Sequence, residues 1–299
     1  MRLFLTQLAS LVTLAMIFKI GCYDPIHRGV NLQKNLDLGF PKKMLLRASA
    51  KATTTKTPPS LHLIGERHSG TNWITRELER CFPDVRLVTG LTRWKHWFQK
   101  DGYNYRTPKA VVVVQVRNVY DWVEAMRSNP YHAPDHFDLD WQSFVTKSWT
   151  MDDPPVEDDD SLCQMNFTRN EVVPCSKDPP QLVRDRRLVR TVYEMQPDGT
   201  PYENILALRR DKMAHFRTLG SFANVTAFEL VQYEDMVEQG TGSLIGQLEE
   251  ALGVAAQCEP LEGRPLKRKR ALDPDMVAWL NEHVDWEVEE SIGYYRMEA

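Results

Sequence analysis

The stretch Ala110-Val111-Val112-Val113-Val114-Gln115-Val116 constrains the fold of this chain more than any other segment. An unbroken β-branched run of this kind suits a strand buried on both faces, as in a parallel sheet covered by helices. It ends abruptly in Arg117-Asn118-Val119-Tyr120-Asp121-Trp122, after which Val123-Glu124-Ala125-Met126-Arg127 reads as helix. Ligands of open α/β sheets sit at the carboxyl ends of the strands. Arg117 therefore stands where a guanidinium could grip a phosphate by paired hydrogen bonds, although it could equally cap the strand or pair with Asp121.

A second strand exit lies upstream. The apolar residues Leu61, Leu63 and Ile64 lead into Gly65-Glu66-Arg67-His68-Ser69-Gly70-Thr71-Asn72, and Trp73-Ile74-Thr75-Arg76-Glu77-Leu78 is compatible with helix. Strand, tight turn and helix together aim backbone N–H groups and the positive end of a helix dipole at a bound anion. Ser69, Thr71 and Asn72 add side-chain donors, while Arg67 and His68 add charge. The loop is not a Walker motif, because no Lys occurs between Gly65 and Trp73. Turns of Ser, Gly and Thr also occur where nothing binds.

The two segments together resemble the sulfotransferase family, whose sulfuryl donor is 3′-phosphoadenosine 5′-phosphosulfate. Arg67-His68-Ser69-Gly70-Thr71-Asn72-Trp73 resembles the family's 5′-phosphosulfate loop, and Arg117-Asn118-Val119-Tyr120-Asp121 its 3′-phosphate element. Lys95-His96-Trp97 resembles the segment that carries the family's histidine base, and His96 stands twenty-one residues before Arg117. Phe228 to Met236, with Tyr233-Glu234-Asp235, resembles the family's late strand. The likeness spans roughly residues 60 to 295 and is poor in the middle third.

The resemblance implies an α/β fold of the P-loop-like kind, with a central parallel sheet flanked by helices. It also implies His96 as catalytic base and 3′-phosphoadenosine 5′-phosphosulfate as co-substrate. Some positions depart from the family pattern. His68 stands where many members carry Lys, so His68 or Arg67 would have to stabilise the leaving oxygen. Ala125 replaces a Ser, leaving Ser128 one turn later as the substitute. The R-K-G loop of the cytosolic branch is missing; Lys267 and Arg268, with Lys269 and Arg270, could replace it or form a solvated basic loop.

Sulfuryl transfer needs in-line geometry, charge neutralisation and a base for the attacking hydroxyl, by analogy with phosphoryl transfer. No metal is expected if side chains supply the charge. An imidazole titrates near neutrality, which suits His96 to the base role. Lys95 could lower its pKa or bind sulfuryl oxygens. Trp94-Lys95-His96-Trp97 also reads as an aromatic packed edge. His132 and His136, with Asp135 and Asp138, lack the spacing of a zinc site and suit acceptor contact or a plain surface loop.

Leu3 to Phe18 is mostly apolar between Arg2 and Lys19. It is slightly short for a spanning helix of ~20 residues, and reads as an uncleaved signal anchor over residues 1–20, or else as a cleaved signal peptide. Residues 21–60 are polar and rich in Pro and Thr towards their end, as a flexible stem would be. Residues 61–299 suffice for one α/β catalytic domain. This order predicts a single-pass type II protein of the Golgi membrane with a luminal domain.

Asn166-Phe167-Thr168 and Asn224-Val225-Thr226 are glycosylation sequons. Of the cysteines, Cys81, Cys163, Cys175 and Cys258 can pair in an oxidising lumen, and Cys163 with Cys175 would close a short loop. A net charge of −4 argues against nucleic-acid binding. The acidic run Asp152 to Asp160 reads as an exposed loop or insertion. The expected partner is a hydroxyl-bearing acceptor, a glycan by default for a Golgi-type member. An inactive luminal scaffold of the same fold and a nucleotide-dependent kinase are the rival readings.

Overall fold

The computed structural model describes residues 59–102, 109–153, 172–174, 181–182, 188–268 and 271–298. The first half of the fold comprises β1 (Ser60–Gly65), α1 (Thr71–Cys81), β2 (Leu87–Thr89), β3 (Ala110–Val116), α2 (Val119–Ser128) and α3 (Trp141–Thr146). Four strands follow: β4 (Thr150–Asp153), β5 (Val172–Pro174), β6 (Gln181–Leu182) and β7 (Leu188–Glu194). The rest comprises α4 (Ile205–Phe216), β8 (Val225–Gln232), α5 (Tyr233–Gln239), α6 (Gly242–Leu252), α7 (Pro274–His283) and α8 (Trp286–Ser291).

The central sheet has the order β2-β1-β3-β8, and all its pairings are parallel. Every residue of β1 and β3 is buried, as the valine run demands of a strand covered on both faces. Alternation along the strands divides the core. Leu61, Leu63, Val111 and Val113 pack with Ile74 and Leu78 of α1 and Leu244 and Leu248 of α6. Ile64, Val112 and Val114 pack on the other side with Met213 and Phe216 of α4. The chain leaves β1 for β2 on one side and returns to place β3 on the other. The carboxyl ends of β1 and β3 thus flank a topological switch point, where α/β sheets take their ligands.

α2 begins at Val119, four residues before the helix read from the sequence. Asn118 is the reason, since its side chain caps the helix by accepting from Tyr120 N at 3.0 Å. A second, antiparallel sheet of order β4-β7-β5, with β6 also on β7, was not legible in the sequence. It takes in the start of the acidic run: Asp152 and Asp153 belong to β4, and Asp152 is buried rather than looped out. Residues 154–160 lie outside the described residues.

Cys81 and Cys258 form a disulfide that joins the end of α1 to the segment after α6; Cys163 and Cys175 lie outside the described residues. Asn224 is only 3 % exposed, so its sequon has no room for a glycan in the folded chain; Asn166 falls outside the described residues. Among the described residues no helix is long and apolar enough to cross a membrane. The Leu3–Phe18 segment and the stem up to residue 58 lie outside them.

Candidate functional site

The loop after β1 is shaped by its own backbone. Ser69 Oγ donates to Glu66 O at 2.7 Å, and His68 and Gly70 both adopt positive φ, 60° and 89°. Gly70 has a steric reason as well, because a Cβ there would lie 2.5 Å from the Tyr233 ring and 2.7 Å from Gln115 Nε2. α1 then starts with no side-chain cap and no acidic residue in its first turn. An outside anion could take the place a capping oxygen would fill, at the positive end of the helix dipole.

Two guanidiniums border this loop. Arg67 is buried, with its charge 5.0 Å from the Trp94 ring, and its Nε and Nη2 have no hydrogen-bond partner. Arg117 donates from Nη1 to His68 O at 3.0 Å and lies 5.2 Å over the Tyr233 ring, while its buried Nε is unpartnered. Arg117 does not pair with Asp121, whose carboxylate is held by Arg268 at 2.9 Å. Gln115, fully buried beneath Gly70, leaves both amide atoms unsatisfied. Buried donors without acceptors are costly, and an anion at the loop would relieve them.

Lys95 and His96 come to the same place. Gly65 N donates to Lys95 O at 3.1 Å, and Lys95 Nζ donates to Asn72 Oδ1 at 3.0 Å. His96 Nδ1 lies 2.6 Å from Gly65 O. A carbonyl only accepts, so Nδ1 carries the proton and Nε2 keeps its lone pair. Burial holds the His96 pKa well below the ordinary histidine value, and the charges of Arg67, Lys95 and Lys212 push the same way. A neutral imidazole with a defined basic nitrogen results. The neighbouring Trp97 is buried against Met151 and Val192, so this segment is both a packed edge and a site.

His68 is one of the two groups expected to stabilise the leaving oxygen. Its Nε2 donates to Asn129 O at 2.7 Å. Burial lowers its pKa, and the Arg117 and Arg67 charges add to this. The ring is neutral and its Nε2 proton is already used. Arg67 is the cation at this point of the loop. Trp73 meets the Tyr233 ring edge-on at 6.1 Å.

Ser128 is exposed and donates to Glu124 Oε1 at 3.2 Å, so it is not drawn into the loop. Arg268 forks onto Asp121 in the first turn of α2, and Lys267 is exposed beside it. The His132–His136 loop serves as an anchor to β4. His132 Nδ1 lies 3.3 Å from Asp152 Oδ2, Asp135 Oδ2 accepts from Thr150 Oγ1 at 3.2 Å, and His136 accepts from Thr150 N at 3.3 Å.

α4 supplies what the sequence did not disclose. Arg209 is fully buried, donating from Nη1 to Glu66 and from Nε to Glu289 Oε1 at 2.6 Å. Its Nη2 donates to Arg117 O at 2.8 Å, so one side chain ties both strand exits together. Burial pushes the Glu66 carboxyl up, against the pull of Arg209. Glu234, after β8, accepts from Asn118 N at 3.1 Å and from the Tyr294 hydroxyl at 2.7 Å. Arg209, Lys212, Met213 and Phe216 follow a helical spacing and all are buried, and a charged pair on the apolar stripe was the available signal. No family model, curated protein or solved structure matches this chain.

Proposed function

We propose that this chain is a sulfotransferase that moves a sulfuryl group from 3′-phosphoadenosine 5′-phosphosulfate to a hydroxyl acceptor, a glycan being the leading class. One observation carries this reading. His96, with its proton fixed on Nδ1 by Gly65 O, stands at the foot of the loop that carries Arg67, whose buried Nε and Nη2 have no hydrogen-bond partner. A base and an anion grip therefore share one backbone junction.

The residues present fit the donor's two charged ends. The start of α1 and Arg67 suit the phosphosulfate, and Arg117 with its unpartnered Nε suits a second phosphate. The bound donor supplies an activated sulfuryl group, which leaves its phosphate oxygen as the acceptor oxygen bonds to sulfur. His96 Nε2 takes the acceptor's proton, Arg67 neutralises the leaving phosphate oxygen, and Lys95 and Asn72 border the path between them. Trp94, edge-on to His96 at 4.8 Å, limits water at the base. The apolar N-terminal segment, the Asn166 sequon and a Cys81–Cys258 disulfide suited to an oxidising compartment support a luminal, membrane-anchored placement.

The test is transfer of labelled sulfuryl from the donor to a panel of glycans, tyrosine peptides and small alcohols, without added metal. Label transfer to a hydroxyl is expected. Binding of adenosine 3′,5′-bisphosphate without transfer to any acceptor would favour the inactive scaffold. Turnover of ATP that depends on magnesium would favour a kinase.

A further inference from the structure

Lys212 on α4 is a second buried cation close to His96. It is 5 % exposed, and its ammonium lies 4.9 Å from the ring of Trp97, the residue after His96. Its charge reaches His96, Arg67 and Glu66. The other charged group nearby is Glu194 at the end of β7. Val192, two residues before it and on the same face of the strand, packs on Trp97. Glu194 is fully buried, yet neither carboxylate oxygen has a hydrogen-bond partner, so Lys212 does not bond to it.

The charges around His96 do not balance. Arg67, Lys95 and Lys212 are cations. Of the carboxylates in reach, Glu66 is bonded to Arg209, which leaves Glu194 alone to offset three positive groups. A lysine enclosed in that excess suits a site whose missing member is an anion.

We propose that Lys212 is a further catalytic residue that donates hydrogen bonds to the oxygens of the sulfuryl group in transfer, with Glu194 as its positioning residue. This rests on the sulfuryl-transfer reading. In the step, the acceptor oxygen–sulfur bond forms, the sulfur–phosphate oxygen bond breaks with its electron pair going to the phosphate, and the hydroxyl proton goes to His96 Nε2. Lys212 keeps its own proton throughout. A purely structural lysine would only support the Trp97 ring and offset Glu194.

The pH profile separates the two roles. Burial lowers the Lys212 pKa to about 8, with Arg67 pushing it down and Glu194 and Glu66 pulling it up; His96 faces it uncharged. Above that pH the ammonium loses its proton, so kcat/KM should fall on the alkaline side. In Lys212→Arg the guanidinium stays charged and this fall should vanish up to about pH 10. The double variant Lys212→Met/Glu194→Gln removes both charges together and avoids stranding Glu194. Its kcat should drop on the order of 10²–10³-fold. Its affinity for adenosine 3′,5′-bisphosphate, which has no sulfuryl group, should stay within about twofold.

The experiment measures kcat and kcat/KM against pH for wild type and both variants, with bisphosphate affinity as the check on folding. If Lys212→Arg keeps the wild-type alkaline fall, or the double variant keeps most of its kcat, the proposal is overturned while sulfuryl transfer stands. If wild type transfers no sulfuryl group, both are overturned. If Lys212→Arg fails the folding check, the double variant decides alone.

Discussion

Arg67 and Arg117 stand two residues and one residue, respectively, past the ends of their strands, whereas the groups around His96 come from four separate parts of the chain. The first region is assembled by local geometry: β1 and β3 end side by side, Gly70 turns the loop, and α1 starts behind it. The second needs the Trp94–Trp97 segment to be held between Gly65 and the antiparallel sheet, and α4 to bring Arg209 and Lys212 behind it. The first region therefore needs only the pairing of two adjacent strands and the turns that leave them. A reacting centre needs long-range packing to fix its base and its second cation. Mutations should separate the two regions.

The largest effect is expected at His96. His96→Ala should lower kcat by a factor on the order of 10²–10⁴ and leave bisphosphate affinity nearly unchanged. The wild-type acid limb should lie well below pH 6.5, since protonating Nε2 destroys the base and burial has moved that event down. Steady-state kinetics across pH would show it; an acid limb at the ordinary histidine value would separate His96 from the proton transfer.

Arg209 links the regions, so its loss should be felt in both. Arg209→Met leaves Glu66 and Glu289 buried without their partner and should cost about 3–5 kcal/mol in a urea titration. A cost below about 1 kcal/mol would mean the strand exits hold themselves in place.

Arg117→Ala addresses the cradle alone. It should weaken adenosine 3′,5′-bisphosphate by ~1.5–3 kcal/mol in calorimetry while sparing stability. Unchanged affinity would take Arg117 out of the site.

Arg268→Ala should have the smallest effect. The side chain is 41 % exposed and spends its charge on Asp121, so a change of under about 1 kcal/mol in either stability or bisphosphate affinity is expected. A loss of about tenfold or more in affinity would bring the basic segment into the nucleotide site, as the family resemblance anticipated.

The same contrast decides what could be read in advance. β3 was legible to the residue, because a valine run needs no partner to declare itself as a doubly buried strand. The loop from Arg67 to Trp73 was legible as a strand–turn–helix junction because turn, donors and helix are contiguous. His96 stands out in the sequence by the family resemblance of its segment and its spacing from Arg117, but its tautomer depends on Gly65 O, thirty-one residues away. His68 reads as an added charge in sequence; burial lowers its pKa, and the carbonyl of Asn129, at the far end of α2, takes its Nε2 proton in a hydrogen bond. The antiparallel sheet was invisible because β4, β5 and β6 are two to four residues long and β4 runs into the acidic stretch. Glu194 gives no local signal, and Lys212 only that of a charge on the buried stripe of α4. Each is explained only by the other and by Trp97.

The most direct test of the cradle is calorimetry of the wild-type chain with adenosine 3′,5′-bisphosphate, adenosine 5′-monophosphate and magnesium ATP. Two strand exits that each grip a phosphate predict that the bisphosphate binds at least about tenfold tighter than the monophosphate, with no requirement for magnesium. Equal affinity for the two adenosine nucleotides, or a preference for magnesium ATP, would contradict it.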